Sequence, residues 1–263
     1  MYTEDKKEAI EFPIDDVLKI TLEIASLLIT SGAEVRRVED TISRICKAYN
    51  LKDCEVFSIT SIIIITATSQ DDKTVTQTKR IYDSSLNLIA FEKANALSRE
   101  ICSNPKPLSY VLERTKKIKE DSLKSTFKIN IGYLIGAGAF SMFFGGNVLD
   151  SLSAILVAFI LLLCNKFILK PTTNRLFYAF SISALMGISA IFLVNIGIGV
   201  HTDKIIIGDI MLLIPGMALV NSMVDMFCGD FMTGTMRVIN SLLTAFSIAG
   251  GFLFAFGLMG GTF

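Results

Sequence analysis

The 263-residue chain is 51% hydrophobic with a mean hydropathy of +0.55, too apolar for an ordinary soluble domain of this length. His201 is the only histidine, which excludes His-dominated metal sites and His-based catalytic triads but not a purely carboxylate metal site. The net charge of zero hides a step: residues 1–128 hold 20 of the 25 Lys+Arg and 20 of the 25 Asp+Glu, and the remaining 135 hold five of each. Such a step marks two solvents, water for the first half and lipid for the second.

Residues Met1 to Phe12 mix acids and lysines with no early apolar run, so the first membrane helix is expected to do the targeting. Asp15 and Asp16 predict the cap of a helix through Val17, Ile20, Ile24 and Leu28 that ends at Ser31-Gly32. A second helix is expected from about Ala33 to Tyr49, its buried stripe formed by Val35, Val38, Ile42, Ile45 and Tyr49. Arg36, Arg37, Asp40, Arg44 and Lys47 lie opposite, Glu34 and Glu39 flank the stripe, and Arg36–Asp40 has the spacing of a helical ion pair.

Cys54 to Thr68 is β-branched and predicts one strand or two. Past Asp71-Asp72, the alternation from Thr74 to Ile81 predicts another. Helical patterning returns at Leu86 to Ile101 and, past Pro105 and Pro107, at Leu108 to Lys119. The Lys-rich stretch up to Lys128 reads as contact with anionic lipid, with no nucleic-acid partner. No phosphate loop or nucleophile elbow is present, and neither an enzymatic activity nor a cofactor is expected. Cys46, Cys54, Cys102, Cys164 and Cys228 form no CxxC and read as packing residues in a reducing compartment.

From Phe127 onward five apolar segments, 127–145, 150–169, 176–199, 205–227 and 238–259, each approach the ~20 residues of a membrane-crossing helix. The fold class expected is therefore an N-terminal α+β cytoplasmic domain (1–125) followed by an all-α membrane bundle of about five transmembrane helices (126–263). Lys166, Lys170, Arg175 and Arg237 place their loops, and the N-terminus, in the cytoplasm and the C-terminus outside the inner membrane. Gly132 and Gly136 form a GxxxG, which serves either helix packing or a homo-oligomer face.

Within 205–227, Pro215-Gly216 predicts a kinked or broken helix. Broken helices in transporters expose backbone groups that hold ions and polar substrates; a plain proline kink is the alternative. Asn221 and Asp225 share a face beyond the break, and Asp209 sits at the outer end. An ionisable residue inside lipid is a functional candidate by default, although Asp225 and Asp209 lie close enough to the ends to meet water instead. Arg237 is a candidate partner for Asp225 across the hairpin.

SGAEVRRVED (Ser31 to Asp40), the SITSIIIITATS run and the Thr76-to-Arg80 stretch followed by Asn87-Leu88 resemble the N-terminal domain of the threonine/serine exporter family. PGMALVNSMVDMFCGDFMTGTMR (Pro215 to Arg237) resembles that family's membrane signature. The resemblance covers nearly the whole chain. It implies secondary export of small hydroxy amino acids, or of dicarboxylates such as succinate, with Pro215, Gly216, Asn221, Asp225 and Arg237 in the membrane signature, to which the residue reading adds Asp209 as a path candidate, and with Glu34, Arg37, Glu39 and Arg80 in the N-terminal motif. It also implies the larger subunit of a split, two-gene form, with a smaller membrane subunit as partner. The rival reading is a membrane-anchored sensor or enzyme whose first half carries the activity.

Overall fold

The computed structural model describes residues 12–82, 86–124, 126–167 and 174–260. The chain divides into two compact units, residues 1–124 with 221–235 and residues 125–220 with 236–263.

In the first unit, α1 (Ile14–Thr30) starts directly after Pro13, whose carbonyl accepts from the amides of Asp16 and Val17; the two aspartates lie in its first turn, where they complement the helix dipole. Val17, Leu18, Ile24 and Leu28 are sealed from solvent, so α1 is the central helix of this core. Against it packs α2 (Val35–Ala48), with Val38, Ile42 and Ile45 as its buried stripe. The β-branched run resolves into two strands, β1 (Asp53–Ile59) and β2 (Ile62–Thr68), and β3 (Thr74–Arg80) completes an antiparallel sheet in the order β1-β2-β3. Alternation sends Ile63, Ile65 and Ala67 inward, while Thr66–Thr76 and Thr68–Thr74 pair hydroxyls across β2 and β3 at 2.9 and 3.0 Å. Two further helices, α3 (Leu88–Ser103, capped by Asn87) and α4 (Leu108–Lys124), close the core.

The second unit holds α5 (Thr126–Phe143), α6 (Val148–Phe167), α7 (Arg175–Asn195) and α8 (Thr202–Ile210) around Ala137, Ala154, Val157, Ile182, Met186, Ala190 and Ile205. Two last helices, α9 (Gly216–Phe227) and α10 (Phe231–Met259), contribute residues to both units. The GxxxG is not the tight contact here. A Cβ added at Gly132 would meet nothing within 4 Å, whereas one at Gly138 would lie 2.8 Å from Ile155 Cδ1.

This architecture overturns the expected fold class. Among the described residues the chain is ten helices and one small three-stranded sheet, so helix dominates throughout and an α+β cytoplasmic domain is not what is observed. The bundle of about five transmembrane helices fails as well. Among the described residues two helices are long and apolar enough to cross a membrane, α7 with 21 residues and α10 with 29, and the apolar parts of α5 and α6 are the shorter Phe127–Phe143 and Val148–Cys164. The expected span 205–227 is two helices of 9 and 12 residues. Composition windows register apolarity and are blind to a backbone interruption. Here α8 ends at Ile210, the chain turns through Met211 to Ile214, and Pro215, which has no N–H to continue the ladder, separates it from α9.

Candidate functional site

The site is built on the N-terminus of α2. The first amides of any helix have no partner within the helix and carry the positive end of its dipole. Glu34, at the N-cap, makes no side-chain cap. Instead the amide of Val35 donates to Asp225 Oδ1 at 3.3 Å, from a residue 190 positions later. Both residues are buried, Asp225 at 1% exposure. A carboxylate at a helix N-terminus is the favoured arrangement of charge against dipole. Next to it, Asn221 Nδ2 donates to the carbonyl of Gly32 at 2.8 Å. Gly32 turns the chain out of α1 with φ +96°, a conformation that a side chain would strain.

On α9, Asn221, Ser222 and Asp225 occupy one face at spacings of one and four residues, and Ser222 is fully buried. The helix closes with Gly229 at φ +97° and the Asp230 amide donating to the carbonyl of Asp225 at 2.9 Å. The chain then turns into α10, where a Cβ at Gly234 would lie 2.5 Å from Met226 Cγ and 2.8 Å from the Ser222 carbonyl oxygen. Only glycine lets α10 start this close to the Asn221–Asp225 face.

Along α2, the Arg37 guanidinium stands 5.0 Å from the Phe91 ring centroid, a cation–π contact with α3. Glu39 Oε1 accepts from the Ser58 amide at 2.8 Å and its hydroxyl at 3.0 Å, fastening α2 to β1. Burial pushes the Glu39 carboxyl above its ordinary value, the Ser58 bonds oppose that, and the charge of Asp230 adds to it. Asp40 pairs with Arg44 at 2.9 Å, one turn later, and not with Arg36. Arg80 is exposed at the end of β3, in register with Ile62.

Asp209, Pro215, Gly216 and Arg237 belong to the second unit. Asp209 on α8 is fully buried, and neither carboxylate oxygen has a hydrogen-bond partner among the described residues. Arg237 lies partly buried in α10. One pair in this unit escaped the sequence reading. Asp150 and Asn147 cap α6 reciprocally, the Asp150 amide donating to Asn147 Oδ1 and the Asn147 amide to Asp150 Oδ2. The buried Asp150 carboxylate also accepts the amides of Val200 and His201 at 2.8 and 2.9 Å and lies 2.8 Å from His201 Nδ1. A single histidine and an Asn-x-x-Asp start were the only signals, and nothing in sequence spacing joins residues 50 positions apart.

A family described as "Putative threonine/serine exporter" matches residues 19–259. Among curated proteins, a Mycobacterium tuberculosis protein named "Probable threonine/serine exporter" is 23% identical over 245 residues, covering 90% of this chain and 45% of that one. The chain thus spans about half the length of that relative. An Escherichia coli protein named "Probable succinate transporter subunit YjjP" is 24% identical over 249 residues, covering 89% of this chain and 91% of that protein. No solved structure matches the chain.

Proposed function

The chain belongs to the threonine/serine exporter family, a family of membrane proteins, and from that premise we propose that it is one subunit of a secondary exporter of small hydroxy amino acids or dicarboxylates. The observation that carries this reading is the carboxylate of Asp225 on the N-terminus of α2. An ionisable group that caps a helix through one amide is held by charge and dipole together, and neutralising it releases the helix end. Asp225 is therefore the residue through which a proton or a coupling cation acts on α2, with Asn221 setting the position of the Gly32 turn. The helix break at Pro215-Gly216 leads directly into the segment that bears both.

A second, smaller membrane subunit supplies the remainder of the path. The Mycobacterium tuberculosis relative carries more than this chain's length, and the Escherichia coli relative of matching length is named a subunit. Arg175 is the first residue of α7, which favours the cytoplasmic side for that end of the helix.

The test is export of labelled threonine, serine and succinate from vesicles holding this chain and the smaller subunit. Asp225→Asn is expected to reach the membrane at wild-type level and to lose at least tenfold in export rate, and Asn221→Ala to lose less. Wild-type export by Asp225→Asn at equal expression would remove Asp225 from the mechanism.

A further inference from the structure

Cys46 and Cys54 are separated by eight positions and by a change from helix to strand. Cys46 lies in the last turn of α2 and Cys54 near the start of β1, joined through Tyr49 to Lys52 with Asn50 at φ +59°. That turn brings the two sulfur atoms to 3.0 Å, inside ordinary van der Waals contact, with both thiols free. Cys46 is sealed in the core, and Cys54 is partly exposed at its edge. No group of three His, Cys, Asp or Glu is arranged to hold a metal among the described residues, so the chemistry available to the pair is that of two thiols.

We propose that Cys46 and Cys54 are a reversible dithiol/disulfide site that fastens the end of α2 to β1, with a low-molecular-weight disulfide such as glutathione disulfide as its oxidant. Three features divide the labour between the sulfurs. Cys54 is the one a solvent-borne disulfide can reach. When Cys54 is deprotonated the Cys46 S–H donates to it, which holds the Cys54 thiol below its ordinary range and supplies the attacking thiolate. Cys46, buried and giving up that bond when ionised, is pushed up and acts second.

The Cys54 thiolate attacks one sulfur of glutathione disulfide, forming a mixed disulfide and expelling one glutathione thiolate. Cys46 then loses its proton and attacks the Cys54 sulfur, closing the intramolecular bond and expelling the second glutathione thiolate. The two protons released by the protein end on the two glutathiones, so two thiols are oxidised and one disulfide is reduced. Glutathione runs the cycle backward. The bond acts on a helix already tied to β1 through Glu39 and Ser58, and its first residue is the donor to Asp225. The inference stands on the α2–β1 geometry and does not depend on the exporter reading.

The purified full chain in detergent, equilibrated with glutathione buffers of rising disulfide fraction and then acid-quenched, is to be counted for free thiols and mapped by peptide mass spectrometry. The expected result is a fall from the chain's five thiols to three, with the loss of two hydrogens and a peptide joining residues 46 and 54. The same chain carrying Cys46→Ser should stop at a glutathione adduct on Cys54, and one carrying Cys54→Ser should leave Cys46 unmodified. Five free thiols in every buffer, a link between other cysteines, or a Cys54 adduct that persists in the wild type would each overturn the proposal.

Discussion

The amide of Val35 and the Asp225 carboxylate meet at 3.3 Å, so the second helix of the chain takes its cap from the ninth. A helix normally takes its cap from its own N-cap residue, and Glu34 does not supply one. The consequence is that the most charged stretch of the first half and the most unusual stretch of the second are one structural element.

Removing the Asp225 carboxylate should therefore be visible at Val35 itself. A charged acceptor at a helix N-terminus contributes about 1–2 kcal/mol, corresponding to roughly a tenfold change in local opening. In hydrogen exchange, the Val35 amide should exchange about tenfold faster in Asp225→Ala than in the wild type, with the Ile42 and Ile45 amides little changed. Unaltered protection at Val35 would show that water caps the helix as well as Asp225 does.

Gly234 offers a steric test of the same site. A valine there must displace Met226 and press on the Ser222 carbonyl, and overpacking of this kind costs about 1–3 kcal/mol. Gly234→Val should lower the thermal midpoint in detergent and increase proteolysis in the turn around Gly229 and Asp230. Gly257→Val is the control, because a Cβ at that position meets nothing within 4 Å.

Glu39 makes stability fall with pH. Its carboxyl is raised from 4.5 in the folded state, first by burial, so between 4.5 and the raised value the native protein binds more protons than the unfolded one. Its contribution is complete below 4.5 and is lost as pH rises through the folded value. Glu39→Gln keeps an oxygen for the Ser58 amide and has no proton to lose. Its denaturation midpoint should change less over this window than that of the wild type, and parallel pH profiles for the two proteins would contradict this account.

Asp150 should be the most sensitive polar residue of the second unit. Replacing it with alanine leaves the amides of Asn147, Val200 and His201 without their acceptor, a loss on the order of 3 kcal/mol. Exchange at Val200 and His201 should accelerate together in Asp150→Ala, and His201→Ala should reproduce only part of the effect. Equal effects of the two substitutions would place the anchor on the imidazole and not on the carboxylate.

Local patterns were readable where local interactions decide. The 3–4 spacing of Val38, Ile42 and Ile45 names the buried face of α2, because one helix face must leave water whatever it packs against. The alternation from Thr74 to Arg80 names β3 for the same reason at period two. The Arg36–Asp40 pair expected from spacing is not the one formed: Asp40 pairs with Arg44, also four positions away, which puts the acid N-terminal to the base, the orientation the helix dipole favours.

By itself, the sequence determined the step from a charged first half to an apolar second half, the family, and the residue types gathered at Asn221 and Asp225, since composition and spacing are properties of the chain alone. Tertiary structure decided how far the break that Pro215 announces extends, from Met211 to Pro215, and so which helices among the described residues reach membrane-spanning length. It also decided that Asp225 caps α2 and that Cys46 meets Cys54. Hydrogen bonds and sulfur contacts act over about 3 Å, and which groups come that close is set by how the elements pack, a property no local pattern encodes.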